Sequence, residues 1–369
     1  MRNIVLFGAG KIGRMIAAFL SASGDYRLVV VDNDAQRLGR VAARERVETM
    51  VVDATDRSAV ARALQGRDCV ISALSFKFNV PLAEAAAAHG ISYFDLTEDI
   101  ETTRGIRAIA ARAQRGQTFM PQCGLAPGFV AIIAQHLTKA FDRLDTVHMR
   151  VGALPQFPSN ALRYNLTWST DGLINEYCNP CEAILDGRRT DLRPLEGLEH
   201  FWMNGVQYEA FNTSGGIGTL CESLDGQLRE LNYKTIRYPG HRELMSFLIE
   251  DLRLGERRDL LKDVLERAIP VTFQDMVVVF CTASGWRSNQ LVQISDARLI
   301  YSQDLYGEAW SAIQISTAAA LCAVLDLKFE SKLADTGFVR QEEIALDDFL
   351  ANRFGRYYAN AAPIADRRT

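Results

Sequence analysis

Apolar residues recur in two rhythms along this chain, and the change falls near residue 124. Before it, short β-branched runs ("NIVLFGAG", "YRLVVVDND", "VETMVVDATD", "DCVISAL", "ISYFDLTED") alternate with Ala- and Arg-rich stretches ("KIGRMIAAFLSAS", "AQRLGRVAAR", "RSAVARALQG", "NVPLAEAAAAHG"). Strands separated by helices imply right-handed crossovers and a mainly parallel sheet covered on both faces. After "QTFMPQCGLAPGF" the segments lengthen and alternate as half-buried strands do: "DTVHMRVGAL", "ALRYNLTWS", "HFWMNGVQYEAF", "NYKTIRYPG", "MVVVFCTASG" and "NQLVQISDARLI". The helical runs "HRELMSFLIEDLRL" and "RRDLLKDVLERAI" lie between them, which predicts a mixed or antiparallel sheet with helices on one face. "GEAWSAIQISTAAALCAVLDLKF" reads as one long buried helix, followed by the polar, irregular tail "GFVRQEEIALDDFLANRFGRYY". The expected division is therefore a parallel-sheet domain over 1–123, an α+β domain over 124–307, and a C-terminal helix and tail over 308–369 packing back on the first domain.

Composition narrows the classes. A chain of 369 residues, 48% hydrophobic, is long enough to bury such cores. The 41 Lys and Arg against 45 Asp and Glu carry no long run of either sign, so nothing points to nucleic acid or an anionic membrane. "STAAALCAVLDL" is shorter than the ~18–20 apolar residues a membrane span needs, and it carries Asp326. The first residues enter a strand without the succession of regions that marks a secretory leader, so a cytoplasmic protein is expected. Seven scattered cysteines suggest reduced thiols, and Cys178-Asn179-Pro180-Cys181 is a lone CxxC without a second pair, so no metal is expected.

The strongest chemical signal is Gly8-Ala9-Gly10-Lys11-Ile12-Gly13, a GxGxxG between an apolar strand and an amphipathic helix. Its glycines suit a tight turn, a bare backbone against pyrophosphate and a close helix–strand contact, with the helix N-terminus facing the phosphates. Asp32 closes "RLVVVD" where the second strand of such a unit ends, and a carboxylate there accepts from a ribose diol and repels a 2′-phosphate. NAD is therefore favoured, with NADP left open by Arg37 and Arg40. Asp53 and Ala54, ending the third strand, are expected near the adenine, and Ser72, Ala73, Leu74 and Ser75, ending the fourth, beneath the nicotinamide ribose. The fold expected is an N-terminal Rossmann-type domain with a second α+β substrate and dimerisation domain on a mixed sheet.

The same segments, with "GLAPGF", "TWSTDGLINEYCNPC", "YEAFNTSGG" and "YKTIRYPGH", resemble the saccharopine dehydrogenase-like family, which includes saccharopine reductases, lysine 6-dehydrogenases and carboxynorspermidine synthases. The resemblance is strongest to the lysine 6-dehydrogenase branch. It implies NAD-dependent oxidative deamination of the ε-carbon of L-lysine to 2-aminoadipate 6-semialdehyde, with ammonia and NADH, in a homodimer. It also implies that Arg237 holds the substrate carboxylate and that Cys123 lies near the reaction centre. Two positions depart from the family pattern: Ala126 stands where saccharopine reductases commonly have aspartate, and Ser75 where several relatives have proline.

Read from the residues, the proton acceptor belongs where the fifth strand ends, which offers Asp95 and Glu98 in "YFDLTED". Asp95 has the alternative of capping the next helix, and Cys123 of packing. Arg237 closes a strand before Pro239-Gly240, and its planar fork suits a carboxylate. His241 would either donate to the same carboxylate or cap the helix it begins. Thr235 shares a strand face with Arg237, while Trp168 and Ser169 form an opposite wall or, for the tryptophan, core. Two rival readings stay open: a secondary amine such as saccharopine or carboxynorspermidine, for which Arg163 and Arg242 would supply further cations, and a dinucleotide sensor without catalysis.

Overall fold

Seven strands form the first sheet in the computed structural model, which describes residues 1–359. Residues 360–369 of the expected tail lie outside the described residues. β1 (Arg2–Phe7), β2 (Tyr26–Asp32), β3 (Val47–Val51), β4 (Cys69–Ser72), β5 (Ser92–Asp95) and β6 (Thr118–Met120) pair in parallel. Their residues are apolar on both faces because helices cover both: Ile4, Leu6, Val30 and Phe94 belong to one core, Val5, Phe7, Val31 and Tyr93 to the other.

The second sheet holds β7 (Arg143–Pro155), β8 (Cys181–Leu185), β9 (Arg188–Leu192), β10 (Glu199–Met203), β11 (Val206–Asn212), β12 (Glu230–Arg237), β13 (Asp275–Arg287) and β14 (Gln290–Tyr301). Its main path runs β10-β11-β12-β7-β13-β14, with β8 on β12 and β9 on β8. Only β7 and β12 pair in parallel, so the sheet is mixed. Alternate residues of β13, Val277, Val279, Cys281 and Ala283, face the core shared with the first domain.

Three expectations change. "HFWMNGVQYEAF" is a hairpin, turning at Asn204-Gly205 with both φ positive (51° and 77°). "ALRYNLTWS" is a loop: a single bridge, Leu166 to Val271, replaces a strand, and Tyr164 and Leu166 anchor it in a small apolar cluster. The long helix starts only at Ala312, because Glu308–Trp310 (β16) folds back on Gln303–Leu305 (β15) across Tyr306-Gly307, and Ser311 and Gln314 then form a reciprocal cap.

The helix Ala312–Phe329 is long and apolar enough to span a membrane by composition, but 83% of that span is buried inside the protein. It packs on the helix Lys11–Ser23 and on β13, so it fastens the two sheets together. Its buried Asp326 accepts from Tyr26, Asn352 and Arg353. The segment after it is less irregular than its polarity suggests: β17 (Gly337–Phe338) extends the parallel sheet beside β6, and Phe349 and Tyr358 are buried against Phe129.

Candidate active site

The two sheets converge on a cavity of about 790 Å³. One end is built around a turn of bared backbone. Gly8 has a φ of 104°, and a Cβ on it would lie 2.7 Å from the Ala73 carbonyl oxygen; one on Gly13 would lie 1.8 Å from that of Gly8. Gly10 differs: no protein atom lies within 4 Å of where its Cβ would be, and with Ala9, Lys11 and Ile12 it lines the cavity. A bared backbone at the start of the helix Lys11–Ser23, whose first N–H groups have no partners in the helix, fits a dinucleotide pyrophosphate.

Asp32 ends β2 with its carboxylate accepting the N–H groups of Ala9 (2.7 Å) and Asp34 (2.9 Å), so it braces the glycine turn. Arg37 and Arg40 line this end of the cavity, Arg37 beside Asp34 at 3.3 Å. Ala73, Leu74 and Ser75 line it as well, whereas Ser72 is buried behind them with its hydroxyl on Asn79 (2.7 Å). Asp53 and Ala54 stand outside the lining; the Asp53 carboxylate accepts from Thr55, which lowers its pKa.

Of the three acid–base candidates, only Glu98 faces the cavity. Burial, with the nearby Asp99 and Asp95 charges, pushes its carboxyl up. Asp95 is wholly buried and accepts from Tyr93 (2.8 Å), Thr97 (2.9 Å) and Gln122 (3.1 Å), while burial raises it to about 6. It ties the end of β5 to the segment after β6 and caps no helix; Asp99 caps Ile100–Ala110 instead, accepting from Thr102. Cys123 is equally buried, its thiol on the Met120 carbonyl (3.0 Å) and its pKa pushed well up, so it packs and has no access to the cavity.

The opposite end is built from side chains. Arg237 ends β12 and reaches the cavity with a residue exposure of only 2%. Its Nε–H donates to the Tyr177 hydroxyl (2.8 Å), and its plane lies over the rings of Tyr164 and Tyr177. Tyr177 in turn donates to His241 Nε2 (3.0 Å), whose Nδ1–H donates to the Leu162 carbonyl (2.9 Å). Each partner fixes the next: a carbonyl only accepts, so Nδ1 carries the proton and Nε2 is left to accept. Burial, with Arg237 nearby, lowers the His241 pKa to about 3, and the ring is neutral. His241 therefore neither meets the cavity nor caps its helix, whose N-cap is Gly240; it positions Tyr177 and, through it, Arg237.

Thr235, Trp168 and Ser169 line the cavity with Arg237. Ser169 also caps the helix Thr170–Cys178, and the Trp168 ring packs against Gly172, where a Cβ would come within 2.2 Å of it.

Sequence reasoning missed Glu176. It lines the cavity, its Oε2 is buried without a hydrogen-bond partner, and it stands 3.7 Å from Arg237 Nη2. Burial raises its carboxyl to about 7, Arg237 pulling it down and Glu98 pushing it further up. A signal existed: Leu173, Ile174 and Tyr177 define the buried face of the helix, and Glu176 lies beside them on that face.

With that geometry in place, residues 4–120 match the model of the saccharopine dehydrogenase NADP binding domain and residues 124–354 that of the saccharopine dehydrogenase C-terminal domain. The chain belongs to the saccharopine dehydrogenase family. It is thereby an NAD(P)-dependent oxidoreductase. Among curated saccharopine dehydrogenases [NADP(+), L-glutamate-forming], that of Saccharomyces cerevisiae is 21% identical over 84% of this chain and 71% of its own length. That of Schizosaccharomyces pombe is 20% identical over 68% of this chain and 58% of its own. The chain thus spans between about three-fifths and seven-tenths of the length of these relatives. The solved apo saccharopine dehydrogenase (L-Glu forming) from S. cerevisiae shares the fold with a TM-score of 0.77 at 17% identity, over 93% of this chain and 94% of that one.

Proposed function

We propose that this saccharopine dehydrogenase-family enzyme oxidises the ε-carbon of L-lysine, with NAD or NADP, to 2-aminoadipate 6-semialdehyde and ammonia, the aldehyde then cyclising on its α-amine. The observation behind the proposal is the charge inventory of the substrate end among the described residues: one arginine, Arg237, beside the half-buried carboxylates Glu98 and Glu176, with Asp171 and Glu266 also on the lining. One carboxylate on the substrate and a surplus of ammonium is what such a wall accommodates. Saccharopine carries several carboxylates and needs several cations. Arg163 and Arg242 stay outside the cavity, Arg242 donating to the Leu195 carbonyl (2.7 Å).

The glycine turn and the residues Ala73 to Ser75 would hold the dinucleotide, which supplies the hydride acceptor. Arg237, pre-oriented by Tyr177, binds the substrate carboxylate. Leu96, Val151, Ala153 and Trp168 exclude water around the aliphatic chain and disfavour the charge of the ε-ammonium, whose ordinary pKa is about 10.4. Glu98 takes the proton, freeing the nitrogen lone pair that stabilises the electron-poor carbon; once it has released that proton to solvent, it takes another from the water that adds to the iminium carbon and passes it to the nitrogen that leaves as ammonia. A carboxyl already raised by burial is suited to give that proton back.

The names of the yeast and fungal relatives favour a second reading, in which the donor is the secondary amine of saccharopine. The discriminating experiment is reduction of NAD and NADP by the purified protein with L-lysine, with saccharopine, and the reverse reaction with glutamate plus semialdehyde. Reduction with lysine is expected; turnover with saccharopine alone would replace the first reading by the second.

A further inference from the structure

We propose that Glu176 recognises the α-ammonium of the substrate, forming with Arg237 a clamp for the two charges of an amino-acid zwitterion. The inference rests on the reading above only in taking the substrate to be an α-amino acid; lysine and saccharopine both satisfy it.

The geometry ties Glu176 to the arginine. The carboxylate and the ammonium of an α-amino acid are bonded to one carbon, so groups that bind both must be neighbours, as Arg237 and Glu176 are at 3.7 Å. The ε-nitrogen of lysine stands roughly 6 Å further along the chain by ordinary bond lengths. Glu98 follows β5 on the cofactor sheet, whereas Glu176 belongs to the second domain with Arg237. The two carboxylates thus approach the cavity from different domains, near enough for the Glu98 charge to raise the Glu176 carboxyl, and it is Glu176 that neighbours the arginine.

Satisfaction of hydrogen bonds gives the same assignment. The Glu176 side chain keeps 13% of its surface, and its Oε2 has no donor. A buried carboxylate oxygen without a donor is costly, and a substrate ammonium brings three N–H donors and the opposite charge. Arg237 Nη2 at 3.7 Å is beyond hydrogen-bonding reach, while its Nε–H is held by Tyr177 and an Nη1–H by the Ile236 carbonyl (2.8 Å), so the arginine leaves Oε2 without a donor. Burial raises the Glu176 carboxyl to about 7. Substrate binding should therefore tighten as pH rises through that value, since only the ionised carboxylate pairs with an ammonium.

The test compares L-lysine with 6-aminohexanoate, which lacks only the α-amine, on the dinucleotide-loaded wild type and the Glu176→Gln variant. Affinity is read by calorimetry and turnover by KM and kcat. The wild type should bind lysine about tenfold to a hundredfold more tightly than 6-aminohexanoate, the worth of one charge-assisted hydrogen bond. Glu176→Gln should bring that ratio close to unity, flatten the pH dependence of KM and leave kcat at saturation nearly unchanged. Glu176→Asp should restore part of the preference, with a melting curve showing that both variants fold. Preserved discrimination in Glu176→Gln, absence of lysine binding together with unchanged KM for saccharopine, or a collapse of kcat with loss of the acidic limb of its pH profile would each overturn the assignment. The last would make Glu176 the proton acceptor. A wild type that oxidises saccharopine and ignores lysine would overturn the lysine reading alone; the clamp then stands or falls on whether Glu176→Gln raises KM for saccharopine.

Discussion

The two ends of the cavity do comparable work with opposite materials. At the cofactor end the contact surface is backbone, bared by glycines and aimed by the start of a helix. At the substrate end it is side chains, held by a relay from Arg237 through Tyr177 and His241 to a loop carbonyl. Backbone presentation needs small residues at fixed spacing, so it leaves a local trace. Side-chain presentation draws on β12, the helix Thr170–Cys178, the helix at His241 and the 156–169 loop, which only the fold unites.

The contrast is most sharply tested at the glycines. Gly13→Ala forces a Cβ to 1.8 Å from a carbonyl, and no folded, dinucleotide-binding protein is expected from it. Gly10→Ala meets nothing in the protein, so it should melt as the wild type does while losing at least about tenfold in dinucleotide affinity. Fluorescence titration with NADH and NADPH checks both; undiminished affinity in Gly10→Ala would show that the bare backbone is not the contact.

Arg237→Ala comes next. Turnover should fall by about a thousandfold with dinucleotide affinity unchanged, and Arg237→Lys should not restore it, because an ammonium cannot reproduce the fork that Tyr177 orients. Steady-state kinetics beside dinucleotide titration separates the two ends.

A smaller effect is expected one step back along the relay. His241→Gln should raise KM for the substrate about tenfold, acting through Tyr177 and Arg237. The native ring resists protonation down to about 3, while the unfolded chain takes a proton below about 6.5. The unfolded state therefore binds more protons between those values, and the stability this neutral histidine contributes is present above 6.5 and lost as pH falls. The stability advantage of wild type over His241→Gln should shrink by about 2 kcal/mol between pH 7 and pH 5, measured by denaturant titration. A constant gap would place a charged or mobile ring at 241. The smallest effect belongs to Arg37 and Arg40: replacing both with Ala should weaken NADPH binding about fivefold and leave NADH nearly unchanged, as suits exposed cations near a phosphate.

The same contrast explains what was legible in the sequence. The parallel sheet, the glycine turn and the mixed second sheet declared themselves through local periodicity, and Arg237 and Thr235 through resemblance and strand phase. Asp95 and Glu98 looked equivalent because "YFDLTED" shows their proximity to a strand end and not which carboxylate the adjoining segment covers; the Gln122 and Thr97 N–H groups decide that. For the same reason the sequence left Cys123 between the reaction centre and packing, since burial is a property of neighbours. His241 was left between a carboxylate contact and a helix cap and is instead a support, because its partners, Leu162 and Tyr177, are 79 and 64 residues away. Glu176 was overlooked although its position on an apolar helix face was visible.

The return of the chain to its starting domain bears on how the protein is made. β17 adds to the first sheet beside β6, and the helix Ala312–Phe329 lies against the helix Lys11–Ser23. During synthesis one flank of the helix after the glycine turn waits for residues translated about three hundred positions later. Until they arrive, Phe19 lacks the rings of Tyr306, Phe354 and Tyr357 that pack on it, and the nascent domain presents apolar surface that chaperones are suited to shield.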